Sequence, residues 1–147
     1  MYKRILVATD GSELSNNAVS HAISLAALTG GEVVALKVVP HYPQSYFEGS
    51  LPVAAEEVEE TEARWSKEAL AVVDSVRVQA AARGVKVEPV TQRSDLVGEA
   101  IINVAKDKGC DLIVMASHGR RGLRRLLLGS ETQHVLTHSS TPVLVLR

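Results

Sequence analysis

Aromatic residues are scarce in this chain: Phe, Trp and Tyr together make up 3% of its 147 residues. The core must therefore be built from Val, Leu, Ile and Ala, and the stacking platforms of single-strand nucleic-acid binders are missing. Cysteine is rarer still, with Cys110 alone. That excludes an internal disulfide and suits a reducing compartment, and its setting is that of a small buried hydrophobe. The charges nearly cancel, to a formal −1, which argues against a protein whose main task is holding nucleic acid. No apolar run approaches the roughly eighteen residues that would suggest a membrane span. The amino end enters a strand pattern at once, without the apolar segment and cleavage site of a secretory signal, so the expected address is the cytoplasm. His21, His41, His134 and His138 show no ligand spacing with Cys110 or an acid pair, which argues against zinc. The P-loop lysine motif and the Rossmann G-x-G-x-x-G are also missing, which removes two common phosphate-handling classes.

What remains is a chain 46% hydrophobic, enough to bury one core over residues 1–147 and too short for two ordinary domains. Strand and helix patterns alternate along it. Ile5 to Thr9 is β-rich, Asp10-Gly11-Ser12 reads as a turn, and Ala18, Ala22, Leu25 and Ala26 recur at helical spacing until Gly30-Gly31. Val33 to Val39 is almost wholly apolar, as a strand covered on both faces should be. Pro40 to Pro52 reads as a long loop, expected to cover a ligand, and an acid-rich helix follows from about Ala54 to Ala82. Val85 to Thr91 reads as a third strand. Asp95 is expected to cap a helix striped by Val97, Ile101, Val104 and Ala105, which Lys106, Lys108 and Gly109 close. Leu112 to Met115, a helix through about His138, and Val143 to Leu146 complete the series. Such alternation predicts an α/β, doubly wound, flavodoxin-like fold: a five-stranded parallel sheet of order 3-2-1-4-5 with helices on both faces. Ligands in such sheets sit beyond the carboxyl ends of the strands, where the order reverses between the first and the fourth.

Two distinctive segments fall at that point. One is Asp10, whose carboxylate suits ribose hydroxyls or a divalent cation beside phosphates, or else caps the turn it sits in. The other is Met115-Ala116-Ser117-His118-Gly119-Arg120-Arg121-Gly122, continuing to Gly129-Ser130. A chain that leaves a strand through glycines and restarts as a helix on a hydroxyl residue presents backbone N–H groups and the positive end of a helix dipole, which suit a phosphate. On this reading Gly119, Gly122 and Gly129 supply positive φ and Ser130 the N-cap. The same residue types also serve strand-to-helix turns for geometry alone. Arg120, Arg121, Arg124 and Arg125 form the most basic patch, either a solvated turn or a source of a bidentate phosphate contact. His118 has no nucleophile partner with defined geometry, so it reads as a loop-shaping residue beside phosphate.

The spacing from Ala116 through Gly119 to Gly129-Ser130 resembles the G-x2-G-x9-G-[ST] signature of the universal stress protein family, and Ile5 to Ser12 and Thr141 to Leu146 extend the resemblance over essentially the whole chain. Ala116 departs from it, standing where the pattern has its first glycine; an alanine fits there at negative φ but not at positive φ. The resemblance implies a cytoplasmic ATP-binding regulator of the stress response, at most a slow ATPase, with Mg accompanying ATP near Asp10 and AMP or ADP as alternatives. It also implies contacts to nucleotide from Ala8, Thr9 and Asp10, from the backbone of Val38 to adenine, and from Ser130, Glu131 and Thr132 to phosphate. Val38 equally reads as core. Two other classes remain open here: a stress-response interaction module that binds no nucleotide and has an unnamed protein partner, and an enzyme cleaving ATP between its first two phosphates. The latter needs a substrate domain for which the chain has no room. A homodimer through the last strand is expected, since apolar edges are rarely bare. Val143 and Val145 lie on one face and Leu144 and Leu146 on the other, so at least one pair is spare for a partner.

Overall fold

The computed structural model describes residues 1–43, 53–119 and 127–147. Strands β1 (Arg4–Ala8), β2 (Glu32–Val39), β3 (Val87–Arg93), β4 (Leu112–Ala116) and β5 (Val143–Leu146) alternate with helices α1 (Glu13–Thr29), α2 (Ala55–Ala81), α3 (Val97–Asp107) and α4 (Ser130–His138). All strand pairs are parallel and the order is β3-β2-β1-β4-β5, the doubly wound arrangement expected from the alternation.

The strand period of two splits the apolar residues between two cores. Ile5, Val7, Val33, Ala35 and Val114 pack under α1 and α2, against Ala18, Ala22, Ala26, Val73, Val76 and Ala80. Leu6, Val34, Leu36, Ile113 and Met115 face the other way, against Ala100, Ile101, Val104 and Val135 of α3 and α4. Burial on both faces is why these strands are almost continuously apolar. Small residues at helical spacing let the helices approach the sheet closely, which compensates for the shortage of rings.

Several boundaries differ from the sequence pattern. The third strand begins at Val87 because Val85 closes α2 instead: its N–H donates to the Ala80 carbonyl at 3.1 Å while Gly84 takes φ 67°. Asp95 does not cap α3, whose N-cap is Leu96 without a side-chain hydrogen bond. Its carboxylate is engaged by His41. Ser130 is the first residue of α4 and not its cap; Gly129 occupies the cap position with φ −61°.

The two sheet edges are unlike each other. β3 carries Pro89, Glu88, Gln92 and Arg93, features that keep an edge single. β5 carries only Val and Leu: Val143 and Val145 pack toward the α3–α4 core and Leu146 toward the α1–α2 core, leaving Leu144 exposed. The spare residue is thus Leu144, not a whole pair.

At the amino edge of the sheet, Arg4 pairs with Glu32 and Glu88, and Lys108 reaches Glu88 from the end of α3. The hydrogen bond from Lys108, then the charges of Lys108 and Arg4, hold the Glu88 carboxyl below its ordinary range against a partial loss of hydration. A lowered folded value means that this carboxylate adds stability above the unfolded ionisation range, and that the contribution is lost as pH falls through the folded value. Glu88 is more than a third exposed, so Glu88→Gln should cost no more than about 1 kcal/mol at neutral pH. Urea melts should show that difference fading in acid; an equal loss at both pH values would contradict it.

Candidate functional site

β1 stops at Ala8, paired with Leu36, and the chain turns sharply into α1. Thr9 is buried, its N–H donating to the Leu36 carbonyl at 2.9 Å, while its hydroxyl accepts the Gly11 N–H at 3.2 Å and meets Ser15 Oγ at 3.1 Å. Gly11 takes φ 80°. Asp10 Oδ1 accepts the Ser12 N–H at 2.9 Å, and Ser12 in turn caps α1 by accepting the Ser15 N–H. The other oxygen, Oδ2, lies toward the loop after β4, where a Cβ on Gly119 would stand 3.2 Å from it. Asp10 therefore organises its own turn with one oxygen and faces the glycine loop with the other.

The loop after β4 leaves and returns at one point. Ser117 continues the sheet, its N–H donating to the Leu146 carbonyl at 2.7 Å, and its own carbonyl accepts the Gly129 N–H at 2.8 Å. The Thr132 hydroxyl donates to the carbonyls of Ala116 and Ser117, at 3.0 and 3.2 Å. A Cβ on Gly129 would meet the Ser117 carbonyl at 3.2 Å, so closeness of approach, and not positive φ, is what demands glycine there. Gly119 and Ala116 are likewise outside the positive-φ residues. Ala116 ends β4 as a buried extended residue, so alanine is compatible with the backbone at the position where the signature has glycine. The α4 N-terminus has no side-chain cap, and among the described residues the N–H groups of Ser130, Glu131 and Thr132 have no acceptor. Those donors and the helix dipole open beside Asp10 and Gly119, a setting that fits a phosphate next to a cation.

The third component is the end of β2. In a strand, backbone groups of successive residues point to opposite sides. The Leu36 carbonyl points to β1, where it accepts Thr9, and the Val39 carbonyl points to β3, where it accepts Ser94. The N–H and C=O of Val38 must then point to the β1 side, beyond the end of β1. No backbone hydrogen bond joins Val38 to the described residues of the turn there. Its side chain lies in the α3–α4 core. The side chain of Val38 is thus core, while its backbone groups face the β1 side of the sheet.

Ala8, Thr9, Asp10, Val38, Ala116, Ser117, His118, Gly119, Gly129 and Ser130 all belong to this carboxyl-edge crevice. Met115 belongs to the core, and Glu131 turns to α3, where its carboxylate accepts the Gly98 N–H at 2.7 Å. Thr132 is buried and braces the loop ends. His118 Nδ1 meets Ser117 Oγ at 2.9 Å, while its buried Nε2 has no partner among the described residues. Arg120, Arg121, Gly122, Arg124 and Arg125 lie outside the described residues, as do residues 44–52 of the long loop. Among the described residues, no cluster of three His, Cys, Asp or Glu side chains is placed to hold a metal ion, and no helix is long and apolar enough to cross a membrane. The pattern did not reveal Ser15, Arg93 or the pairing of His41 with Asp95, because each acts through a partner distant in sequence or through a hydroxyl that carries no periodic signal.

A model of the universal stress protein family matches residues 1–147. The chain is similar to the universal stress protein MJ0577 of Methanocaldococcus jannaschii, 34% identical with 100% of this chain and 96% of that one covered. It is equally similar to the universal stress protein YxiE of Bacillus subtilis, 34% identical with both chains covered in full. The solved structure of MJ0577 superposes with a TM-score of 0.80 at 33% identity, over 99% of this chain and 96% of that one. A universal stress protein solved in complex with cAMP gives a TM-score of 0.71 at 27% identity, over 99% and 97% of the two chains.

Proposed function

This chain belongs to the universal stress protein family, and from that premise we propose that it binds an adenine nucleotide, ATP with Mg, across the crevice between β1 and β4. The observation that carries this reading is the open backbone pair of Val38, set across from the uncapped α4 N-terminus. A strand-edge donor and acceptor are what an adenine edge requires, and helix N–H groups are what a phosphate chain requires. Asp10, facing the glycine loop through Oδ2, is suited to ribose or to the cation that arrives with the phosphates. The cAMP complex of a relative supports an adenine nucleotide over other anions. Alanine at position 116 does not weaken this reading, since its backbone is extended.

The protein so equipped is a nucleotide-dependent regulator of the stress response in the cytoplasm, acting as a homodimer through β5 and changing its contacts to a partner protein with the nucleotide it holds. Protein purified without added nucleotide and then denatured should release ATP, ADP or AMP. Calorimetry with ATP and magnesium on the emptied protein should show saturable binding. The absence of both released nucleotide and binding heat would overturn the proposal.

A further inference from the structure

Among the described residues, the backbone from Val39 to His41, at and just past the end of β2, is bonded on the β3 side, and the hold is made by residues 93–95. The Ser94 N–H donates to the Val39 carbonyl at 2.9 Å, Arg93 Nη1 donates to the Pro40 carbonyl at 2.8 Å, and the His41 N–H donates to Asp95 Oδ1 at 2.9 Å. Three successive residues past Val38 are thereby tied to the β3 side, the last two by side chains where the regular ladder has ended. Around Asp95, the His41 ring adds a contact from Nδ1 to Oδ2 at 3.2 Å. Behind Arg93 stands α2, whose Glu62 carbonyl accepts Nη2 at 3.0 Å and whose Glu62 carboxylate lies 3.2 Å from Nη1. Tyr42 follows, its ring stacked on Trp65 of α2 with centroids 6.2 Å apart.

This latch is poorly placed to serve stability. His41 and Asp95 are both more than half exposed, and exposed pairs of this kind contribute little to folding. Its geometric effect is specific, however. Among the described residues no backbone hydrogen bond holds Val38 on the β1 side, so the direction of its peptide follows the twist of the strand end. Fixing Val39, Pro40 and His41 on the β3 side fixes the plane of the Val38 peptide on the crevice side.

We infer that Asp95, together with Arg93, is a positioning residue for base recognition, holding the end of β2 so that Val38 presents its N–H and C=O to the purine edge. The inference rests on the nucleotide reading above and assigns part of its specificity to residues that do not touch the ligand. Calorimetry should compare ATP with inorganic tripolyphosphate, which engages the phosphate cradle but has no base. Asp95→Ala should weaken ATP binding about tenfold and leave tripolyphosphate binding unchanged. Asp95→Asn, which keeps an acceptor for the His41 N–H, should stay within about threefold of the parent. Arg93→Lys, which keeps the charge beside Glu62 but cannot span Pro40 and α2 together, should repeat the selective loss and covers the case in which Asp95→Ala does not fold. Unchanged ATP affinity in these variants would overturn the inference. A parallel fall for ATP and tripolyphosphate would overturn it too, since that pattern marks a general support of the fold. A parent protein that binds no ATP removes the nucleotide reading itself and the inference with it.

Discussion

A Gly119→Val variant is expected to lose ATP affinity by well over tenfold, at least about 1.4 kcal/mol, while its circular dichroism and unfolding midpoint stay near the parent's. Gly119 is exposed, so the substitution costs the core nothing. A single Cβ there already stands 3.2 Å from Asp10 Oδ2, tighter than ordinary van der Waals contact. Asp10 cannot simply step aside, because its other oxygen holds the Ser12 N–H at the mouth of α1. Valine adds two methyl groups beyond that Cβ, and its stiff χ1 leaves few ways to turn them out. They would enter the space between Asp10 and the α4 N-terminus, where the proposed nucleotide would place its phosphates. Gly119→Ala, with the Cβ alone, should fall between the parent and valine. Calorimetry that finds the valine variant binding as tightly as the parent would refute the placement of phosphate in this loop.

Leu144→Lys is expected to convert a homodimer to monomers, raising the dimer dissociation constant at least about a hundredfold. β5 is the outer strand on its side of the sheet, and it has neither the proline nor the charges that protect β3. Its backbone edge and the 38% exposed Leu144 offer a two-fold related copy an apolar strand to pair with. A lysine at that point is the device by which natural edges stay single. Leu144 is the informative position because Val143 and Val145 pack onto the core of their own protomer; Val145→Asp would disturb the fold as well as the interface. Light scattering should find the parent dimeric at micromolar concentration and the variant monomeric with a native spectrum. A monomeric parent, or a dimeric variant, would end the proposal.

Much of this architecture is legible in the linear pattern. The polar turns after Ala8 and Ala116, the alternation of apolar runs with helical stripes, and the rule that parallel crossovers need helices suffice to place both turns at one end of the sheet. The glycine loop is legible as a ligand loop, but the reason for its glycines is not. Positive φ is the usual expectation, whereas Gly129 has φ −61° and is required by the nearness of the Ser117 carbonyl. That nearness depends on where β4 ends relative to α4, a distance that no local pattern encodes.

Periodicity and turn chemistry by themselves determined the order of elements, the sheet and the position of the crevice, since these follow from which faces must be buried and how short connections can run. Only the tertiary structure decided which polar groups meet. Asp95, read locally as a helix cap, lies 54 residues from the His41 it holds. The Glu131 carboxylate, at the start of α4, meets the Gly98 N–H 33 residues away. Among the described residues the Val38 peptide meets no backbone partner on the β1 side because β2 outlasts β1, a comparison between strands rather than a property of either. Burial of apolar surface is non-directional and leaves a periodic trace in the chain. A hydrogen bond needs two groups within about 3 Å and aligned, and for groups on different elements that alignment exists only once the elements have packed.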